Sequence, residues 1–267
     1  MPAKSLKIIF FGDVVGKLGR RAVITILPQW KKKYKPDLVI ANVENLAHGK
    51  GITAKTLTEL KTAGVTVFTG GNHVYGKEDP TDPELMANFS LALPANMIKT
   101  PDNLRYQKIL SNQLELYVVN FLGQFQIESD GSTNPFLEFD KLYDELGRPK
   151  LLLLDFHAEA TSEKVAFGLY CDGRASAIIG THTHIPTADA RILLGGSGYI
   201  SDVGMVGGLN TVLGVKADII INRFKGETTS FDWPENGEAI INAVYLELDS
   251  KTGHCLQITP LQANITV

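Results

Sequence analysis

The sequence predicts an α/β fold in which two stacked β-sheets are flanked by helices in a single domain, residues 1–267. In the N-terminal half, short apolar runs alternate with helix-like segments, which is typical of βαβ units around a largely parallel sheet. The C-terminal tail instead alternates apolar and polar residues, as antiparallel strands do. No repeat, low-complexity segment or linker divides the chain. Together these observations indicate a mixed, two-sheet domain.

The first half of the chain alternates predicted strands and helices. The strands are LKIIFF, DLVIANVEN and VTVFTGGNH, and the helices between them are RRAVITILPQWKKKY and TAKTLTELKTAG. Thr53 precedes the second helix as an N-cap and Gly64 closes it, so both ends of that helix carry the expected signals. The order strand, helix, strand, helix, strand therefore predicts parallel pairing.

The second half predicts further strands and an antiparallel hairpin. LELYVVNFLGQ is a strand of a meander, PKLLLLDFHAE a fully apolar strand and ASAIIGTHTH another strand. Helices are expected at PFLEFDKLYDELG and SEKVAFGLYCDG. In the tail, EAIINAVYLELDSKTGHCLQITPLQ alternates around Asp249–Gly253, which predicts a hairpin turn there.

Composition excludes several classes of protein. A net charge of −3 with 21% charged residues gives no broad attraction to nucleic acid or to a membrane surface. No apolar run approaches the ~18 residues of a membrane span, and Asp13 comes too early for a secretory signal. Cys171 and Cys255 form no C-x-x-C, which favours inert, reduced thiols and a cytoplasmic location.

The glycine-rich stretch KIIFFGDVVGKLGRR does not match a phosphate-binding loop. A P-loop needs four residues between its glycines and a hydroxyl residue after the lysine. Here three residues separate Gly12 from Gly16, and Leu18 follows Lys17. No G-x-G dinucleotide fingerprint is present either. What remains is Asp13 at the carboxyl edge of a buried strand, either as a helix cap or as a ligand.

Polar residues collect at five predicted strand ends, where α/β sheets place their functional groups. Taken singly, each has a structural interpretation, such as a helix cap, a solvated loop or a hydrogen-bonded core histidine. Taken together, carboxylates, amides and imidazoles suit two divalent or trivalent cations, and the lack of thiolates disfavours a closed structural zinc site. The residues are Asp13, Glu44, Asn45, Asn72, His73, His157, His182 and His184.

The residue types and spacing of this set predict how four of its members would act at a metal site. Glu44 has two oxygens and could bridge two ions. His182 and His184, placed on an extended segment, would point the same way because strand side chains repeat every two residues. His73 follows Asn72 directly, so it would point in a different direction and could stay uncoordinated near a substrate.

The motif order resembles the calcineurin-like metallophosphoesterase superfamily, and its YmdB-type branch in particular. The motifs are GDVVG, NVEN, GGNH, DFHAE, GTHTH and SDVGM, and the resemblance runs from Asp13 to about Gly214. Most of the superfamily has a histidine where this chain has Val15 and an aspartate where it has Glu44, and both departures are expected of the YmdB-type branch. The resemblance implies a four-layer αββα sandwich with a dinuclear centre at the strand C-terminal ends.

The resemblance also implies roles for individual residues. One metal would take Asp13, Glu44, Asn45 and His184, and the other Glu44, Asn72, His157 and His182. His73 would be the general acid. Phe156, Glu159, Asp202 and the stretch SEK at residues 162–164 would orient ligands or pack. Iron is the expected metal, with manganese and zinc as alternatives.

The activity implied is hydrolysis of phosphodiesters, in particular 2′,3′-cyclic nucleotides, by a metal-bridging hydroxide with histidine as the acid. A homo-oligomer is expected from the resemblance alone. Two alternatives stay open from the residues. One is a metal hydrolase for another bond, such as an amidase. The other is a regulatory nucleotide- or RNA-binding protein that uses the same metal site with little turnover.

Overall fold

The computed structural model describes residues 5–127 and 131–267. Within these residues the chain forms six α-helices, sixteen β-strands and one 3₁₀ turn. The helices are α1 (Gly16–Tyr34), α2 (Ala54–Ala63), α3 (Pro83–Asn88), α4 (Pro135–Glu145), α5 (Thr161–Cys171) and α6 (Ala217–Phe224). The strands are β1 (Ser5–Phe11), β2 (Asp13–Val14), β3 (Leu38–Asn42), β4 (Val67–Thr69), β5 (Leu91–Ala92), β6 (Tyr106–Ser111), β7 (Leu114–Leu122), β8 (Leu152–His157), β9 (Ala177–Thr181), β10 (Arg191–Ile192), β11 (Gly198–Ile200), β12 (Met205–Gly208), β13 (Thr211–Val212), β14 (Val215–Lys216), β15 (Glu238–Asp249) and β16 (Cys255–Thr266). The 3₁₀ turn is Asp102–Leu104.

Two large sheets organise the molecule. The first has the order β2-β12-β15-β1-β3-β4-β5, with β16 pairing with β15, and the second has the order β10-β11-β9-β8-β7-β6. The predicted parallel pairing holds for β1, β3, β4 and β5 and for β7, β8 and β9. The first sheet is mixed, however, because the long hairpin β15–β16 adds antiparallel strands beside β1.

Local sequence signals explain where the helices begin and end. Thr53 accepts a hydrogen bond from the Thr56 backbone N–H in a capping box, and Gly64 ends α2 with φ 105°, as the sequence predicts. Helix α1 begins at Gly16, four residues before the predicted start. Gly19 lets this first turn pack closely against β12, because a Cβ at this position would lie 2.3 Å from the Val206 carbonyl oxygen.

The central strands of each sheet are buried on both faces, and they divide their residues between two layers of core. In β1, Ile9 and Phe11 pack toward α1 and α2, whereas Ile8 and Phe10 pack toward the second sheet. This follows from the two-residue repeat of a strand. The three largest apolar clusters lie beside α1 and α2, between the sheets, and beside α4 and α5.

In β8, Leu153 packs between the sheets, while Leu154 and Phe156 pack toward α4 and α5. Asp155 and His157 share the parity of Leu153, so they extend the layer between the sheets. All these side chains are fully or almost fully buried.

Among the described residues no helix has the length and apolar character needed to cross a membrane. Cys171 and Cys255 are both free and buried.

Candidate metal centre

The carboxyl ends of strands from both sheets meet at one place. Asp13 begins β2, one residue after the end of β1, and Glu44 and Asn72 follow β3 and β4 of the same sheet. His157 ends β8 of the second sheet, and His182 follows β9. The strand-end residues of two different sheets therefore face one another.

Glu44 belongs to two groups of candidate ligands. Its carboxylate groups with His157 and His182 and also with Asp13 and His184, and in each trio the ligand atoms lie within 4.8 Å of one another. Glu44 Oε2 is 3.2 Å from His157 Nε2. A carboxylate shared by two trios is the geometry expected of a bridging ligand. Each trio could hold a metal ion.

The two candidate amides lie against these trios. Asn45 Nδ2 is 2.9 Å from Glu44 Oε1 and 3.1 Å from His184 Nε2. Asn72 Oδ1 is 3.2 Å from His157 Nε2. The structure thus brings Asn45 to the Asp13 side and Asn72 to the His157 side. A rotation of the Asn45 amide by 180° would turn its oxygen toward the centre.

The segment carrying His182 and His184 is not extended, so the reason given for their common direction is wrong. Strand β9 ends at Thr181, and His182 and His184 have φ values of 102° and 67°. Non-glycine residues rarely adopt positive φ, and such positions cluster at functional sites. The chain turns at each histidine, and this turn, rather than strand periodicity, gives one imidazole to each trio.

The outward nitrogens of these two rings have acceptors. His182 Nε2 lies 3.1 Å from a Glu159 carboxylate oxygen, and His184 Nδ1 lies 3.1 Å from the Leu213 carbonyl. An acceptor on the outer nitrogen holds the proton there and leaves the other nitrogen free to bind a metal. Glu159, named from the sequence as a residue that orients a ligand or packs, lies where it would orient His182.

A buried ion pair supports the same turn. Lys164 Nζ donates to Asp202 Oδ2 at 2.5 Å and to the Thr181 carbonyl at 2.8 Å. Asp202 also accepts the backbone N–H groups of Thr183 and Gly204. The pair therefore fixes the backbone on either side of His182.

His73 belongs to neither trio. Its backbone N–H donates to Glu44 Oε2 at 2.9 Å, and the residue is partly exposed. The structure thus places His73 beside the shared carboxylate, with its side chain outside the two ligand groups.

Two observations show that the residues fit metal ions. Asp13 Oδ1 is buried and makes no hydrogen bond within the described residues, although His157 and His184 nitrogens lie 3.8 and 3.9 Å away. An unsatisfied buried carboxylate oxygen is costly, and a cation would satisfy it. Gly71 keeps the centre open, because a Cβ there would lie 2.2 Å from Glu44 Oε2 and 2.8 Å from His157 Nε2.

The carboxylates and imidazoles of the centre shift one another's pKa values. Burial opposes protonation of His157, but Glu44, Asp13 and Asp155 raise the pKa of this imidazole to about 9. Burial favours the protonated form of Glu44, yet the charge and hydrogen bond of His157 hold its pKa well below the usual value. Burial and the charge of His157 lower the pKa of His182 to about 3. At neutral pH a protonated His157 therefore balances part of the negative charge of the surrounding carboxylates.

Sequence reasoning missed two buried polar residues behind the centre, namely Asp155 and Thr181. The available signal was a charged or polar residue inside an apolar run, as in LLLLDF for Asp155. Burial raises the pKa of Asp155 to about 6, partly offset by His157 and its hydrogen-bond donors.

A mixed α/β fold with two ligand trios at the strand ends defines a metallophosphoesterase-like protein. The profile of the YmdB-like protein family matches residues 9–261. The chain belongs to this family.

Individual relatives agree with the family. A Bacillus subtilis protein named 2′,3′-cyclic-nucleotide 2′-phosphodiesterase is 40% identical over 267 residues, covering 97% of both chains. A crystal structure described as a novel phosphatase from Mycoplasma pneumoniae superposes with a TM-score of 0.90 at 38% identity, covering 98% of this chain and 94% of the other. A hypothetical protein from Thermus thermophilus superposes with a TM-score of 0.88 at 34% identity, covering 97% of this chain and 99% of the other.

Proposed function

We propose that this chain is a metal-dependent phosphodiesterase that hydrolyses 2′,3′-cyclic nucleotides at the 2′ bond. The observation that carries the proposal is the shared carboxylate of Glu44, which joins two ligand trios in one buried centre. The substrate class rests on the name of the Bacillus subtilis relative.

The proposed ligands are those nearest each trio. Asp13, Glu44, Asn45 and His184 would hold one ion, and Glu44, Asn72, His157 and His182 would hold the other. Nitrogen and oxygen donors suit iron, with manganese and zinc as alternatives. Divalent ions held there would supply Lewis-acid charge and would favour deprotonation of water near neutral pH.

His73 is the proposed general acid. Its backbone is tied to Glu44, so its side chain starts beside the centre without belonging to a trio. A water oxygen bonds to phosphorus and loses a proton as the bond between phosphorus and the 2′ oxygen breaks. Negative charge builds on the leaving 2′ oxygen, and a proton from His73 neutralises it. Such proton transfer contributes typically ~10²–10⁴-fold to the rate. The product keeps its phosphate on the 3′ oxygen.

The architecture around this centre is proposed to be a four-layer αββα sandwich formed as one domain, residues 1–267. The three apolar clusters support this order of layers, with α1 and α2 outside one sheet and α4 and α5 outside the other. A cytoplasmic homo-oligomer is part of the same proposal, from family resemblance.

The test is a hydrolysis assay with 2′,3′-cyclic AMP and 2′,3′-cyclic GMP after loading with Mn²⁺ or Fe²⁺. Chromatography should show the 3′-nucleotide as the product, and p-nitroacetanilide should remain intact. Metal analysis of the same sample should give two ions per chain. Release of nitroaniline without nucleotide hydrolysis would support an amidase. Nucleotide binding with two metals but no hydrolysis would support a regulatory binding protein.

A further inference from the structure

The layer between the two sheets changes from apolar to polar directly behind the candidate metal centre. Along β3, the inward position after Ile40 is Asn42, and along β9 the inward position after Ile179 is Thr181. The same change occurs in β4 and β8. The four residues, here called the inter-sheet polar cluster, are Asn42, Thr69, Asp155 and Thr181, and each has 0% exposure.

Asp155 is the centre of this cluster. Its Oδ1 accepts a hydrogen bond from Thr181 Oγ1 at 2.7 Å. Its Oδ2 accepts from Thr69 Oγ1 at 2.5 Å and from Asn42 Nδ2 at 2.9 Å. One carboxylate thus joins strands of both sheets, with three donors on its two oxygens.

Thr181 connects this carboxylate to a candidate ligand. Its Oγ1 lies 2.8 Å from His157 Nδ1. The hydroxyl has one hydrogen, which it gives to Asp155, so toward the ring it can only accept. Nδ1 of His157 must then carry a proton. This leaves Nε2, the ring atom that faces Glu44, as the nitrogen that binds metal.

Asn42 connects the other oxygen of Asp155 to the shared carboxylate. Its Nδ2 donates to Asp155, and its Oδ1 accepts the backbone N–H of Glu44 at 3.2 Å. The same amide also donates to the Gly70 carbonyl at 2.6 Å. Both hydrogen-bonding ends of Asn42 are therefore occupied, which fixes the start of the turn that carries Glu44.

We propose that Asp155 is a positioning residue that sets the ring of His157 through Thr181 and the backbone of Glu44 through Asn42. The inference rests on the proposed function only in taking Glu44, His157 and His182 as one metal subsite. A carboxylate that merely cross-linked the sheets would need no hydroxyl between itself and the ring. The two roles differ in what the Thr181 hydroxyl does for metal binding.

The experiment compares Thr181→Val with Thr181→Ser and Ser176→Ala. Ser176 is the matched control, since it is a buried hydroxyl immediately before β9 that bonds the Leu152 N–H and the Lys150 carbonyl, far from the centre along the strands. Zn²⁺ affinity of each full-length protein is measured by competition with a chromophoric chelator. Thr181→Val should bind one of two ions about 10–100-fold more weakly, as loss of a ligand's hydrogen-bond partner typically does. Thr181→Ser keeps the hydroxyl and should bind Zn²⁺ with the wild-type affinity. Ser176→Ala should lower thermal stability while leaving the Zn²⁺ affinity unchanged.

A second readout concerns the ring itself. Long-range ¹⁵N–¹H NMR of the Zn²⁺-loaded wild-type protein should show His157 protonated on Nδ1 and metal-bound through Nε2. The Nδ1 proton should exchange slowly with water in the wild type and in Thr181→Ser, and quickly in Thr181→Val. This wild-type measurement stands even if Thr181→Val does not fold.

The possible outcomes separate this inference from the proposed function. Wild-type protein that binds no Zn²⁺ would overturn both. Two ions bound with equal affinity in wild type and Thr181→Val, or a His157 ring bound through Nδ1, would overturn the positioning role alone. Weaker binding in Ser176→Ala equal to that in Thr181→Val would also overturn it, because the effect would then follow stability.

Discussion

Lys164 Nζ and Asp202 Oδ2 lie 2.5 Å apart, with side-chain exposures of only 3% and 1%. The pair sits behind the turn at His182, where Lys164 also donates to the Thr181 carbonyl and Asp202 accepts the Thr183 N–H. A buried pair of this kind costs desolvation to form, but removing one partner leaves the other charge uncompensated.

Lys164→Met should therefore lower the free energy of unfolding by about 3–5 kcal/mol, because Asp202 would stay buried without its cation. Urea denaturation of the metal-free protein measures the change. Lys17→Met is the control, since Lys17 forms an ion pair with Glu235 in which both side chains are about half exposed. That control should change stability little, because solvent screens exposed pairs. Equal effects of the two substitutions would contradict the importance of the buried pair.

Metal affinity should rise with pH. In the metal-free protein, Glu44 and other carboxylates overcome the opposing effect of burial and raise the pKa of His157 to about 9, so this ring is protonated at neutral pH. Binding a cation through Nε2 must release that proton. Below pH ~9 the affinity should increase about tenfold per pH unit from this group alone. Calorimetric Mn²⁺ titrations in buffers of different ionisation enthalpy measure the released proton.

The same pKa has a consequence for the metal-free fold. Because the folded-state pKa lies above the ordinary value of 6.5, protonated His157 stabilises the fold fully below about pH 6.5. This contribution should be lost as the pH rises through about 9. Release of no proton on metal binding at pH 7.5 would show that His157 is neutral and would contradict both expectations.

Gly71→Ala should prevent metal binding at the centre without unfolding the protein. The added Cβ would lie 2.2 Å from Glu44 Oε2 and 2.8 Å from His157 Nε2, so both side chains would have to move. Gly71 does not have positive φ, so alanine meets no backbone strain there. Elemental analysis should show loss of metal, while thermal unfolding should remain cooperative.

Gly207→Ala is the matched control for that change. Its added Cβ would meet the flexible Met205 sulfur at 3.3 Å and Val15 Cβ at 3.4 Å, which are tight contacts outside the two ligand trios. This variant should keep its metal content. If Gly71→Ala also kept both ions, the space between Glu44 and His157 would not be where a cation binds.

The strand ends were predictable because apolar runs are explicit in the sequence. Asp13, Glu44, Asn72 and His157 were located by the rule that α/β sheets carry function at carboxyl ends, and the structure brings them together. The caps of α2 were equally readable, since Thr53 and Gly64 act through local hydrogen bonds.

Features that depend on contacts between distant segments were not predictable. The left-handed turn at His182 is supported by Lys164 and Asp202, which are separated from one another by 38 residues. The pairing of β12 with β2 and β15 likewise depends on tertiary contacts rather than on its short, glycine-containing sequence. Asp155 was missed for the same reason. The role of an aspartate in an apolar strand is set by its hydrogen-bond donors, and for Asp155 two of these come from the opposite sheet.

Glu44→Gln and His73→Ala should separate metal binding from proton donation. Glu44 is shared by both trios, so its amide variant should lose at least one ion and nearly all turnover of 2′,3′-cyclic AMP. His73 lies outside both trios, so His73→Ala should keep two ions and turn over about 10²–10⁴-fold more slowly, the usual contribution of a general acid. Elemental analysis and initial rates on the same preparations measure both quantities. Metal loss in His73→Ala would remove this residue from the role of acid, whereas full metal content in Glu44→Gln would remove Glu44 from the role of bridge.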